Sequence, residues 1–136
     1  MKKLFAAAIL SATLFSCADK QQQEKDLLNE VIAIHDRVME KDELVMINKM
    51  QLDTLIKDSV SADVTTKAIS LRGNLDTVDS RMEKWMHNFD AENKGKSHDE
   101  IITYLTDQKK QISALDSNLN IAVKTADTFI KQNKKK

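Results

Sequence analysis

The chain is 136 residues long with 21 basic and 21 acidic side chains, no proline, two glycines and one cysteine. A balanced charge leaves no electrostatic case for a nucleic-acid partner, which calls for a clustered basic face. One cysteine excludes a disulfide framework and a cysteine-built zinc site.

Residues 1–16 fall into a basic start (Lys2, Lys3), an apolar run from Leu4 to Phe15, and a small residue, Ser16, before Cys17. That order is the pattern of a secretory signal. The run is shorter than the ~20 apolar residues of a transmembrane helix. Leu14-Phe15-Ser16-Cys17 resembles the lipobox of bacterial lipoproteins, with Phe15 bulkier than the usual second residue. The resemblance implies cleavage between Ser16 and Cys17. It also implies a diacylglycerol on the Cys17 sulfur and an N-acyl chain, such as palmitate, on the new terminus. Residues 17–20 become a lipidated anchor and short tether, and the protein is placed in the cell envelope, facing periplasm or cell surface. Ala18 rather than Asp follows the cysteine, which leans towards the outer membrane. Removing residues 1–16 takes away two lysines and no acids, leaving 120 residues and a side-chain balance of −2.

The remainder reads as an all-α, antiparallel up-down-up bundle of three long helices, about 21–57, 62–89 and 98–132, with a solvated basic tail at 133–136. In the second helix Val64, Ala68, Leu71, Leu75, Val78, Met82, Trp85 and Phe89 alternate steps of four and three. In the third, Ile101, Leu105, Gln108, Ile112, Leu115, Leu119, Ala122, Ala126 and Phe129 keep the same rhythm, with Gln108 the polar exception. Such spacing holds one face towards a partner. The first helix is less regular. Val31, Val38, Val45 and Leu52 form one row; Leu28, Ile32, Met39, Met46 and Met50 suggest a second, with His35, Asp42, Lys49 and Asp53 as a polar seam between them. Either both rows face the other helices and the seam meets Gln108, or residues 39–44 mark a kink that turns Asp42 outward. Ser59, Ser61 and Asp63 are candidate caps of the second helix, and Ser97 with Glu100 fits a capping box at the start of the third.

One kind of site is a candidate, a soft-ligand face. His35, Met39, Met46 and Met50 fall on one arc of the first helix, and Met82 and Met86 stand one turn apart on the second. Imidazole and thioether are soft ligands suited to copper, and a His/Met pair is an axial set for haem. Methionine is also an adaptable core residue, and packing competes as the reading of these positions. Trp85 is expected to anchor the core with its N–H near the surface, while His87 and His98 are expected in solvent. No nucleophile stands beside a base, and the seam residues are about 10.5 Å apart along the axis, so no catalytic residue is assigned.

IHDRVMEK (34–41), MEKWMHNF (82–89) and YLTDQKKQI (104–112) resemble segments of small Bacteroidota envelope lipoproteins, some of which are labelled viral A-type inclusion protein. These are helix-face patterns, so the resemblance implies an uncharacterised envelope protein and no viral role. The expected function is a lipid-anchored, non-enzymatic interaction or structural module, partnered by protein or by a second copy. The alternative is periplasmic copper or haem binding through the His/Met face.

Overall fold

Helix-favouring composition and an unbroken three-four rhythm produce long helices. The computed structural model describes residues 2–58 and 61–134, with side chains from residue 19 onward. Its elements are α1 (Lys2–Met39), α2 (Asp42–Asp58), α3 (Ala62–Asn88) and α4 (His98–Asn133). The side chains of Ser16 and Cys17, on which the cleavage and lipidation readings fall, lie outside the described residues, as does Ser59. Among the described residues the regular elements are all helices, and about three helices pack together, α1 and α2 jointly taking the place of the predicted first.

That first helix is corrected in two respects. It begins earlier, at Lys2, and it breaks at Glu40–Lys41. There the Lys41 N–H donates to the Val38 carbonyl at 3.0 Å, a tightened i−3 bond, and the regular pattern resumes when Val45 N–H donates to the Lys41 carbonyl. No proline or glycine forces this break. Charges suit both new ends: Arg37 lies in the last turn of α1, and Asp42 and Glu43 lie in the first turn of α2. Cations at a helix C-terminus and acids at an N-terminus both stabilise against the helix dipole. Asp42 is exposed, as the kinked alternative expects.

The core comes from one stripe of each helix: Val31, Ile34 and Val38 of α1, Val45 and Leu52 of α2, Leu71, Leu75 and Trp85 of α3, Ile112, Leu119 and Ile130 of α4. Burying each such aliphatic side chain stabilises by roughly 1.5–3 kcal/mol. The Val31–Leu52 row is buried as expected, but in the second row only Leu28 is even partly covered. Ile32, Met39, Met46 and Met50 are exposed. Their place beside the core is taken by Ile34, Lys41 and Asn48, which continue the three-four rhythm from Val31 to Leu52.

Two polar members of this row are satisfied across the bundle. Asn48 is buried and its Nδ2 donates to the Val123 carbonyl at 3.1 Å. Lys41 Nζ lies 2.6 Å from Asp116 Oδ1, with the two side chains only 25% and 18% exposed. Asp116 also accepts from Asn120. Asp116→Ala should therefore cost about 1–3 kcal/mol, because it strands a half-buried ammonium. The double change Lys41→Met with Asp116→Leu should recover most of that in urea unfolding. A double variant no more stable than the single one contradicts this account.

Partners along α4 climb in step with α1 and α2: Lys20 with Asp99, Glu30 with Lys109, Lys41 with Asp116. Along α3 they descend: Lys49 meets Asp76, and Asp53 meets Arg72 one turn nearer the start of α3.

The α3–α4 joint is held by Asp90. Its Oδ1 accepts from the N–H groups of Glu92 and Asn93, its Oδ2 takes Lys96 Nζ at 2.6 Å, and its own N–H donates to the Tyr104 hydroxyl. Gly95, at φ 78°, supplies the left-handed turn that favours glycine. The capping box forms: Ser97 accepts from the Glu100 N–H, and Glu100 accepts from the Ser97 N–H. At α3 the N-cap is Ser61, without a side-chain cap bond.

Candidate functional site

The opposed run of α1–α2 and α3 brings two one-turn pairs face to face. His35 lies opposite Met86, with Nε2 3.3 Å from Sδ. Met39 and Met82 line, with Met86, an adjoining cleft of about 170 Å³ whose walls also carry Asp42, Asp79 and Glu83. Three of the six soft-ligand candidates thus line one cleft, and a fourth, His35, touches it through Met86. Met46 and Met50 do not: they stand exposed on α2, 57% and 64%, and line neither this cleft nor the neighbouring one. The physical reason is rotation of the face. Asn48, not a methionine, turns towards α4, and the methionine side is carried outward.

His35 has a second contact that the sequence reading missed, Nδ1 to Asp36 Oδ1 at 3.1 Å. The signal was the adjacent His-Asp pair. A haem held axially by His35 and Met86 would need its ring between the two donor atoms, and a 3.3 Å contact leaves no space for it.

Above this pair lies a second cleft of about 250 Å³, lined by Val31, Ile32, His35, Trp85, Met86 and Phe89. Trp85 stacks on Phe89 at 4.9 Å, and Phe89 continues to Tyr104 at 6.2 Å, with Lys96 Nζ over the Tyr104 ring. Contrary to expectation the Trp85 indole N–H is buried, and it has no hydrogen-bond partner among the described residues. His87 is exposed, as predicted. His98 is not simply solvated, since its Nδ1 pairs with Glu24 of α1.

Two members of the polar seam, Lys49 and Asp53, form interhelical ion pairs. Lys49 reaches Asp76 at 2.7 Å and Asp79 at 3.4 Å, and Asp53 holds Arg72. The hydrogen bond with Asp76 holds the Lys49 ammonium above its ordinary range, and the same bond holds the Asp76 carboxyl below the usual carboxylate range. Both side chains keep a quarter or more of their exposure, so the pair stabilises by no more than about 1 kcal/mol. Gln108 does not meet this seam; it lines a surface cleft with Trp85 between α3 and α4.

Among the described residues no three His, Cys, Asp or Glu side chains gather as a metal-binding group. No family model, curated protein or solved structure matches this chain.

Proposed function

We infer that the chain is a lipid-anchored envelope protein whose up-down-up bundle serves as a non-enzymatic docking module. The observation that carries the docking reading is the outer face of α2. Leu44, Met46, Ile47 and Met50 are 49%, 57%, 38% and 64% exposed. Steps of three and four residues join them into one patch on the helix surface. Contiguous exposed apolar residues of this kind mark interaction surfaces, and methionine adapts its shape to a partner. The patch runs along a single helix, so the occupant proposed is an amphipathic helix of an envelope partner, laid along α2.

The anchor reading rests on the LFSC motif. Lys20 and Glu24 already contact Asp99 and His98, so acyl chains at Cys17 would hold the α3–α4 joint close to the membrane. The climbing pairs along α4 and descending pairs along α3 support the up-down-up order. Lys41, Lys49, Arg72 and Lys109 are engaged in ion pairs between helices, which supports a scaffold role.

A photo-crosslinking side chain at Met50 or Met46, in intact cells, should yield a discrete adduct, and one at His87 should not. An adduct of twice the protein's own mass would replace the partner helix by a second copy. Equal labelling from His87, or none from α2, contradicts the docking reading.

A further inference from the structure

Asp36 and Met86 make opposite demands on one imidazole. An ionised carboxylate only accepts hydrogen bonds, and a thioether is a weak acceptor with no proton to give. A neutral imidazole carries one proton. With Nδ1–H donating to Asp36, the Nε2 lone pair of His35 faces the Met86 sulfur at 3.3 Å. In that tautomer the imidazole nitrogen and the thioether sulfur are two adjacent donors, a pair open to a metal ion.

We propose that His35, Met39, Met82 and Met86 form a site for a soft monovalent metal ion, Cu(I). Three features favour a metal. First, the donor spacing fits: with zinc's nitrogen and sulfur bond lengths of about 2.0 and 2.3 Å as a guide, a near-tetrahedral angle sets two donors about 3.3–3.6 Å apart. Second, the i, i+4 pair His35/Met39 faces the i, i+4 pair Met86/Met82, and the three methionines share one cleft. Helical bundles build metal sites in this way, from side chains on facing helices. Third, the Asp36 contact is the carboxylate that orients a ligating histidine through its other nitrogen.

The ligand set selects the ion. Thioether and imidazole are soft and uncharged, which suits Cu(I) over magnesium, calcium or manganese. A single positive charge among neutral donors also avoids the larger desolvation cost of a divalent ion. Asp42 and Glu83 on the cleft wall add negative potential along the approach.

The test uses the full chain carrying Cys17→Ser, in mild detergent, so that no thiol competes. Cu(I) is titrated anaerobically against a chromophoric Cu(I) chelator, and X-ray absorption reads the ligand shell. The expected result is one Cu(I) per chain, bound tighter than micromolar, with mixed nitrogen and sulfur scattering. Met86→Leu, Met82→Leu and His35→Gln should each weaken binding at least tenfold, while Met46→Leu and Met50→Leu leave it unchanged. Methionine-to-leucine changes conserve volume, and an unchanged melting temperature separates ligand loss from unfolding. Binding weaker than micromolar overturns the site, and so does equal loss from the Met46 and Met50 variants. Crosslinking from α2 is read separately, so the docking function and the metal site can fail independently.

Discussion

On the proposed lipoprotein reading, Cys17→Ser should abolish acyl labelling and remove the protein from the outer-membrane fraction. Each buried methylene of an acyl chain contributes about 0.8 kcal/mol to membrane binding. One myristoyl chain holds only marginally, and two membrane signals already suffice for stable anchoring. A diacylglycerol and an N-acyl chain together exceed that requirement. In the proposed lipoprotein, serine would present no sulfur to carry the thioether-linked lipid, so the precursor would keep residues 1–16 or be shed. Among the described residues no helix is long and apolar enough to span a membrane and mask the loss. Metabolic labelling with palmitate and the intact mass of the purified protein provide the measurements. An unlabelled parent protein, or a variant that still sediments with outer membrane after a high-salt wash, contradicts the lipobox reading.

The helical character and the faces of α3 and α4 were legible because their apolar rows are almost uninterrupted. Ala68, Leu71, Leu75, Met82 and Trp85 are buried as their spacing predicts, and so are Leu105, Ile112, Leu119 and Ala126. The first helix misled for a definite reason. Its true second row passes through Lys41 and Asn48, and a pattern scored by apolarity treats those two as solvent positions. Each is satisfied by a residue about 75 positions away, Asp116 or the Val123 carbonyl. Nothing local in the chain announces such partners. The apolar residues left over, Met46 and Met50 among them, then look like core when they are surface. The break at Glu40–Lys41 was half visible, because Asp42 and Glu43 can start a helix as well as continue one.

Legibility of the candidate site divides along the same line. The one-turn pairs His35/Met39 and Met82/Met86 are local facts of spacing. Their meeting depends on the register of two helices, set by long-range pairs such as Lys49–Asp76 and Asp53–Arg72. The role of Asp36 was hidden by its ordinariness, since an exposed acid on a charged helix attracts no notice until its neighbour's ring is placed.

The core makes the sharpest quantitative demand. Ile112→Ala should destabilise the bundle by about 3–5 kcal/mol, while the same change at Ile121 should stay within about 0.5 kcal/mol. The two isoleucines sit on one helix, nine residues apart, and differ in burial: Ile112 is 0% exposed and Ile121 is 65% exposed. Their helix propensities, and the gain from alanine, are equal at both sites. What separates them is the transfer of three buried methyl or methylene carbons and the cavity left behind. At Ile112 that cavity opens in the cluster formed with Val31, Ile34 and Trp85, where large neighbours on three helices restrict collapse. For a bundle of this size the loss corresponds to a fall in melting temperature on the order of 10–20 °C. Urea unfolding of the two variants beside the parent measures both. Similar, small losses at the two positions would mean that α4 does not present the Ile112 face to the core, and the packing of all three helices would have to be redrawn.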